Sequence, residues 1–181
     1  MNNNENQFDF ERLIVDVQDY PKPGVVFKDI TPLFANPEGL RALSDAMVSH
    51  FKNEGITKVI GSEARGFLVG TLIAYGLNAG FVLARKPGKL PREVYSQTYE
   101  LEYGTDELQI HKDALTPEDK VLVVDDLIAT GGTAIATADL VAQTGAEVAG
   151  FAFILELAFL HPRELLAKHY NKEIFTLVQV D

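Results

Sequence analysis

Short apolar segments alternate with longer amphipathic stretches through most of the chain, and this pattern restricts the fold more than any other feature of the sequence. The apolar segments have the length of buried strands and lie at 57–61, 80–84, 120–124, 148–155 and 174–180. Apolar positions at helical spacing predict helices over 37–54, 66–77, 133–144 and 163–168. Buried strands separated by helices indicate an α/β fold, with a mainly parallel sheet and helices on both faces. Ligands bind beyond the carboxyl ends of the strands in such sheets.

The segment 86–111 interrupts this alternation. It contains two prolines and two glycines, and aromatic and apolar residues alternate with polar ones along its second half. Loops of this length inside a compact domain are commonly lids or binding loops. We therefore expect a hairpin-like insertion that lies over a binding site.

Length and composition narrow the class of protein. The 181 residues contain no Ser/Gly-rich linker or repeat, so we expect a single domain over 1–181. The longest apolar stretch, 148–160, is shorter than the roughly 20 residues that cross a bilayer, and the N-terminal residues lack a secretory pattern. We therefore expect a cytoplasmic protein. The absence of cysteine excludes thiolate metal sites and a cysteine nucleophile, and the four histidines lack the spacing of zinc ligands.

The charge distribution points to a small anionic ligand. The net charge of −10 argues against nonspecific binding to nucleic acid or to an anionic membrane. No acidic residue lies between Glu63 and Glu93. The cationic residues in that stretch are Arg65, Arg85, Lys86, Lys89 and Arg92. Such a cluster is what a site for a small polyanion requires, and a chance grouping on a solvated face is the alternative.

The segment Val121–Thr133, with the sequence VLVVDDLIATGGT, carries the strongest chemical signal. It predicts a buried strand, a pair of carboxylates and a turn that opens a helix. Backbone N–H groups of Ala129–Thr133 can hold a phosphate at the helix N-terminus, and the hydroxyls of Thr130 and Thr133 add donors. Gly131 and Gly132 permit positive φ and a close approach of the backbone to phosphate oxygens.

The carboxylates of Asp125 and Asp126 would repel a phosphate, so their place beside such a turn indicates ribose hydroxyls or a hydrated Mg²⁺ as their ligands. The combination favours a phosphorylated sugar. The alternative is a strand that ends in two aspartates and is followed by an ordinary helix cap. A Walker loop and a dinucleotide-binding fingerprint are both excluded, because Gly132 is followed by Thr-Ala and G-x-G-x-x-G is absent.

This segment resembles the phosphoribosyl pyrophosphate (PRPP) motif of type I phosphoribosyltransferases. The resemblance extends to the adenine phosphoribosyltransferases over nearly the whole chain, through the segments 21–32 (PKPGVVFKDITP), 63–67 (EARGF), 85–91 (RKPGKLP) and 99–104 (YELEYG). It implies the type I fold, with a small N-terminal hood over about 1–34 and a flexible lid hairpin over about 86–111. Members of the family are usually homodimers and depend on Mg²⁺.

The resemblance implies purine salvage, in which PRPP and adenine give AMP and pyrophosphate. Asp125 and Asp126 would hold the ribose 2- and 3-hydroxyls, directly or through water and metal, and no protein group would ligate Mg²⁺ directly. Residues Ala129, Thr130, Gly131, Gly132 and Thr133 would hold the 5-phosphate. The pyrophosphate contacts would be Arg65, Lys86 and Lys89, while Arg85 either serves the same site or reaches a neighbouring subunit.

The same resemblance assigns residues to the proton transfer and to the binding of adenine. Glu102 resembles the family's candidate acid/base, and a solvated glutamate on a mobile hairpin is the alternative. The adenine contacts would be Val26, Phe27, Lys28 and Leu127, with the backbone of Val26 reading the base edge. The family often has Arg where this chain has Lys28, which leaves that contact open. Plain β-strand core is the alternative for residues 25–27.

Two rival functions are also compatible with the sequence. The first is a phosphoribosyltransferase for another base, such as hypoxanthine, guanine or xanthine, because the PRPP motif is shared and only the hood and lid distinguish the bases. The second is a PRPP-sensing regulator that has lost catalysis and binds nucleic acid. A regulator of that kind should carry a basic DNA-binding segment, and the net charge of −10 opposes this interpretation.

Overall fold

The computed structural model of the chain describes residues 8–100 and 104–181. Its strands are β1 (Val15–Gln18), β2 (Val26–Asp29), β3 (Lys58–Ser62), β4 (Gly80–Ala84), β5 (Val94–Glu100), β6 (Thr105–His111), β7 (Lys120–Ile128), β8 (Glu147–Leu157) and β9 (Glu173–Val180). Its α-helices are α1 (Thr31–Ala35), α2 (Pro37–Phe51), α3 (Arg65–Gly76), α4 (Gly132–Gln143) and α5 (Pro162–His169). Short 3₁₀ turns cover Glu11–Leu13 and Ala158–Leu160. None of the described helices is long and apolar enough to span a membrane.

The central sheet has the order β4-β3-β7-β8-β9, and all neighbouring strands run parallel. The predicted strands and helices all form, with boundaries that shift by a few residues. The largest shift is in β7, which was expected to end at Val124 but continues to Ile128. It continues because the long strand β8 remains paired with it as far as the Ile128–Glu156 pair. Asp125 and Asp126 therefore lie within a strand and not beyond its end.

Alternate residues of β7 face two hydrophobic layers on opposite sides of the sheet. Val121 and Val123 pack in the layer that contains residues of α4 and α5. Leu122 and Val124 pack in the layer that contains residues of α1, α2 and α3. A strand that is buried on both faces reads as a continuous apolar run, which is the pattern of 121–124. The predicted α/β class with helices on both faces is confirmed.

The order of the strands creates a crevice between β3 and β7. From β3 the chain passes through α3 to β4 on one side, and from β7 it passes through α4 to β8 on the other. The two connecting helices lie on opposite faces, so the space between the carboxyl ends of β3 and β7 stays open. Ligands of open α/β sheets bind at such switch points.

Two antiparallel pairs flank the central sheet. β1 pairs with β2 in the predicted hood region, and β5 pairs with β6 within the predicted lid segment. The base of the second hairpin belongs to the core, because Leu108 and Ile110 are fully buried and Arg85 forms an antiparallel bridge with Gln109. A lid movement of the whole of 86–111 would disrupt this packing.

Candidate active site

A cavity of about 320 Å³ opens at the crevice between β3 and β7. Its volume lies at the small end of the range for ligand pockets. Residues from the end of β3, the start of α3, the second half of β7 and the start of α4 surround it. The lining residues are Ser62, Glu63, Ala64, Arg65, Lys86, Tyr99, Asp125, Asp126, Leu127, Ile128, Ala129, Thr130, Gly131, Gly132, Thr133, Ala134 and Phe153. The cavity therefore contains the whole of the predicted phosphate and ribose motif.

The turn of residues 129–133, hereafter the glycine turn, leads from β7 into α4. Gly131 has φ +97°, in the left-handed region that favours glycine. A Cβ added to Gly131 would also lie 2.6 Å from Leu166 Cδ1. Gly132 does not use the positive φ that glycine permits, because it begins α4 without a left-handed φ. A Cβ on Gly132 would instead lie 3.3 Å from the backbone oxygen of Glu100.

Two adjacent carboxylates form the floor of the cavity. Asp126 is 5% exposed, and Asp125 is partly buried beside it. Asp125 accepts hydrogen bonds from the Ser62 hydroxyl and from the backbone N–H of Asp126, the latter at 2.9 Å. Burial and then the charge of Asp126 raise the pKa of Asp125 to about 8, although the Ser62 hydrogen bond opposes this rise. Asp125 therefore favours its protonated form unless a cation or a hydroxyl donor compensates its charge.

One carboxylate oxygen of Asp126 has no hydrogen-bond donor among the described residues. This oxygen, Oδ2, is buried, and Arg65 Nε lies 2.8 Å from it in an ion pair that lacks hydrogen-bond geometry. A buried carboxylate oxygen without a donor is costly, and a ligand hydroxyl or metal-bound water would satisfy it. Its place in the cavity fits the predicted ribose contact.

The predicted pyrophosphate cations divide into two groups. Arg65 and Lys86 line the cavity, whereas Arg85 and Lys89 are not among its lining residues. Lys86 pairs with Asp106 of β6, and Arg85 Nε donates to Glu63 at 2.6 Å. Lys86 and Lys89 lie in one turn, where Lys89 N–H donates to the Lys86 carbonyl at 3.3 Å. Two of the four predicted cations, Arg65 at the start of α3 and Lys86, therefore line the cavity, and the other two contact lining residues.

The predicted adenine residues do not lie together. Leu127 lines the cavity, but Val26, Phe27 and Lys28 on β2 do not. Phe27 is connected to the cavity through Arg65, because the guanidinium carbon of this lining residue lies 5.8 Å from the centroid of the Phe27 ring. Lys28 Nζ lies 2.7 Å from Asp16 Oδ1, beside a separate cavity.

Residues 25–27 do not form core. Val26 is 43% exposed on β2, and Val25 and Phe27 are only partly buried. The interpretation of this segment as plain β-strand core is therefore wrong, although Val26 and Phe27 do belong to a strand. An exposed apolar residue of this kind is available for contact with a ligand or another surface.

Glu102, the predicted acid/base, lies outside the described residues. The hairpin of β5 and β6, whose strands precede and follow residues 101–103 in sequence, reaches the cavity through Tyr99 of β5, which is a lining residue. The Tyr99 hydroxyl donates to Asp106 Oδ2 at 3.2 Å, and Lys86 Nζ lies 5.9 Å from the centroid of the Tyr99 ring. Tyr99, Asp106 and Lys86 thus connect the hairpin to the cavity.

The fold brings several groups to the site that were not predicted from the sequence. Ser62, which bonds Asp125, directly follows an apolar strand, so the register of β3 beside β7 could have suggested it once the strand order was known. Asp106 and Phe153 gave no local signal, because Asp106 meets Lys86, 20 residues earlier in the chain, and Phe153 reaches the cavity from the separate strand β8. No cluster of three or more potential metal ligands from His, Cys, Asp and Glu occurs within 8–100 and 104–181.

The sequence has close relatives of known name. A family model described as the phosphoribosyl transferase domain matches residues 29–180. The chain is 56% identical over 158 residues to the adenine phosphoribosyltransferase of Francisella philomiragia, an alignment that covers 86% of this chain and 90% of the relative.

The structure is similar to solved structures of proteins with the same name. The adenine phosphoribosyltransferase of Rhodothermus marinus superposes with a TM-score of 0.88 at 47% identity, covering 94% of this chain and 96% of that one. The enzyme of Trypanosoma brucei, solved with AMP, pyrophosphate and ribose 5-phosphate, superposes with a TM-score of 0.86 at 32% identity. That comparison covers 94% of this chain and 77% of the other.

Proposed function

We propose the function of this chain from the premise that it belongs to the phosphoribosyl transferase family, among the adenine phosphoribosyltransferases. It transfers the 5-phosphoribosyl group of PRPP to adenine and gives AMP and pyrophosphate, a reaction of purine salvage. The observation that carries the proposal is the pair Asp125–Asp126 on the floor of a cavity whose rim is the glycine turn. Carboxylates can accept hydrogen bonds from ribose hydroxyls, and the backbone N–H groups beside them can donate to a phosphate. Together these groups match a phosphorylated ribose.

The glycine turn would hold the 5-phosphate. Its backbone N–H groups precede or begin α4, so the partial positive charge of the helix N-terminus adds to their attraction for the anion. Gly131 permits the left-handed φ that shapes this turn, and the hydroxyls of Thr130 and Thr133 supply further donors. No lysine is required within the turn, in contrast to a Walker loop.

Asp125 and Asp126 would accept hydrogen bonds from the ribose 2- and 3-hydroxyls. The buried Oδ2 of Asp126, which lacks a hydrogen-bond donor among the described residues, supports this assignment. When the sugar binds, Asp125 would release the proton that its raised pKa favours, because an ionised carboxylate accepts from two hydroxyls.

We also propose Mg²⁺ as the cofactor. The two carboxylates fit water-mediated contacts to a hard cation, and Asp126 Oδ2, which accepts no hydrogen bond from the described part of the chain, would accept one from a water bound to that cation. When bound with PRPP, the ion supplies positive charge that offsets the charge of the pyrophosphate.

Arg65 and Lys86 would stabilise the departing pyrophosphate as the bond from ribose C1 to its oxygen breaks. Both line the cavity, and positive charge near the leaving group favours a transition state in which negative charge develops there. Lys89 would reach the same anion from the adjoining turn. Arg85, paired with Glu63, would serve either this site or that of a neighbouring subunit.

Adenine would bind between the hood and Leu127. The N–H and C=O of Val26 could pair with N1 and N6 of adenine, a pattern that a 6-oxopurine would not match. Phe27 would pack on the ring, and its contact with Arg65 connects the base to the pyrophosphate cations. Lys28 would act indirectly, because it is held by Asp16. Glu102 would take the proton that leaves adenine as the new bond forms.

We propose a homodimer in which the outer face of α3 and the edge strand β4 contact a second copy. Leu68 and Tyr75 lie two turns apart on α3 and are 54% and 89% exposed, and Leu83 on β4 is 42% exposed. Exposed apolar residues of this size on elements that pack against each other are typical of interaction surfaces. A cytoplasmic location is proposed as well, because PRPP and AMP are anions that do not cross a bilayer unaided.

The test is pyrophosphate release from PRPP and Mg²⁺ with adenine, hypoxanthine and guanine supplied separately. We expect turnover with adenine alone, and its loss in the double variant Asp125→Asn, Asp126→Asn. Asp45→Asn, a change at an exposed position of α2 away from the cavity, is the control and should retain activity. Turnover with a 6-oxopurine would refute the base assignment, and no turnover with any base would favour the regulator.

A further inference from the structure

A buried carboxylate near the carboxyl end of β8 has no part in the mechanism above. Glu156 is 2% exposed and does not line the cavity. Thr176 Oγ1 and Gln179 Nε2 donate to its Oε2 at 3.2 and 3.0 Å. Burial alone would raise the pKa of Glu156, but hydrogen bonds, first from Arg163 and then from Gln179, hold it below the ordinary value. The group is therefore an ionised carboxylate fixed to two strands.

Arg163, in the first turn of α5, is the principal partner of this carboxylate. Its Nε lies 2.8 Å from Glu156 Oε1 and its Nη2 lies 2.7 Å from Oε2, which is the bidentate arrangement that a planar guanidinium provides. Its Nη1 donates to the carbonyl of Ile174 on β9 at 3.0 Å. One side chain thus attaches the start of α5 to both β8 and β9.

The helix that Arg163 attaches packs directly on the glycine turn. Leu166, one turn after Arg163, is fully buried, and its Cδ1 would lie only 2.6 Å from a Cβ at Gly131. The carbonyl oxygen of Pro162 would lie 3.6 Å from the same point. An eight-residue helix is too short to be stable by itself, so tertiary attachments decide where Leu166 lies.

We propose that Arg163 is a positioning residue for the 5-phosphate: through Glu156 it fixes α5, and Leu166 of α5 holds the glycine turn in its phosphate-binding conformation. The inference rests on the proposed function in one respect only: that function identifies the bound phosphate as the 5-phosphate of a ribose. Gly131, with its left-handed φ and no Cβ, has little intrinsic preference for one conformation, so a packed neighbour is needed to restrict it. Loss of the attachment should weaken phosphate binding because the turn must then be ordered by the ligand.

The test compares two variants of the full chain with a matched control. In Glu156→Gln, Arg163→Met both charges are removed, so no buried charge is left unpaired. In Leu166→Val the side chain that packs on the turn is shortened, and the Glu156–Arg163 pair is left in place. The control, Glu147→Gln, Lys172→Met, also removes one carboxylate and one cation, from a more exposed pair with a separation of 3.0 Å at the opposite end of β8. Ribose 5-phosphate is titrated into each folded protein by calorimetry, and KM is measured separately for PRPP and adenine.

We expect the Kd for ribose 5-phosphate to rise about tenfold in the double variant, equivalent to about 1.4 kcal/mol, with a smaller rise in Leu166→Val. KM for PRPP should rise in parallel, while KM for adenine should change less than twofold. In the control variant the Kd for ribose 5-phosphate and both KM values should change less than twofold. A ribose 5-phosphate Kd within twofold of the wild type in the folded double variant would overturn the proposal, as would an equal loss of adenine affinity.

The remaining outcomes are also decisive. If the double variant does not fold, an unchanged Kd in Leu166→Val overturns the proposal and a raised one supports it. If the wild-type chain binds ribose 5-phosphate but turns over no base, the proposed function fails while the calorimetric comparison still tests Arg163.

Discussion

Replacement of Asp125 by Asn should stabilise the fold at neutral and alkaline pH while it removes activity. The amide can keep both hydrogen bonds of the carboxylate, because its oxygen can accept from the Asp126 N–H and its NH₂ can donate to Ser62 Oγ. It lacks the negative charge that burial and Asp126 disfavour. The variant therefore separates the stability of the empty site from its function.

The sign and size of this change in stability follow from the raised pKa of Asp125. The carboxyl group has an ordinary pKa of 3.8, raised to about 8 in the fold, so between these values the folded state binds a proton that the unfolded state has lost. Stability from this group is complete below the unfolded pKa and is lost as pH rises through the folded pKa. The loss is at most about 1.4 kcal/mol for each unit of pH between about 4 and 8. Relaxation of the site will reduce it.

Urea denaturation of the wild type and of Asp125→Asn from pH 5 to pH 9 measures this difference. We expect the free energy of unfolding of the variant to exceed that of the wild type by an amount that grows up to about pH 8 and then levels off. Asp119→Asn is the control of opposite sign. Asp119 is slightly buried, but hydrogen bonds from Thr116 and Thr57 hold its pKa below the ordinary value, so its replacement should destabilise near pH 7. A constant difference between wild type and Asp125→Asn across this pH range would refute the reasoning.

Three further predictions concern the turn, the proton transfer and the assembly. Gly131→Ala should destabilise the fold by about 1–3 kcal/mol in urea denaturation and raise KM for PRPP, because φ is +97° and Leu166 is too close; an unchanged KM would contradict this. Glu102→Gln should lower kcat by about 10²–10⁴ with KM for PRPP retained, and an unchanged kcat would assign the glutamate to the solvated surface. Tyr75→Glu should give monomers in sedimentation, because a charge would be buried in the proposed interface; an unaltered oligomeric state would place the contact elsewhere.

Local patterns predicted most of the elements. The apolar run 120–124 forms the first part of strand β7, and Asn36, directly before Pro37, caps α2 by accepting from Glu38 N–H at 3.0 Å and Gly39 N–H at 2.8 Å. These predictions succeed because strand burial and helix capping depend on neighbours in sequence. The end of β7 was missed because pairing with β8, and not the sequence of β7, decides how far the strand continues.

The site was predicted where its residues are contiguous and less well where they are not. The motif of Asp125, Asp126 and the glycine turn lies in one cavity, as one strand and one turn must. The family resemblance assigned ligand contacts to Lys28 and Arg85. In the structure, however, Lys28 pairs with Asp16 and Arg85 pairs with Glu63, and no local sequence pattern connects either pair. Such ion pairs depend on which elements the fold brings side by side.

The sequence by itself determined the α/β class, the acidic carboxylate pair and the turn that follows it, because these depend on the order of residue types along a short stretch. Only the tertiary structure placed β3 beside β7, which brings Ser62 and Arg65 to the aspartates and leaves the crevice between oppositely directed connections. It also placed α5 against Gly131 through Glu156 and Arg163. Both arrangements are contacts between residues distant in sequence, whose energies depend on strand order and packing.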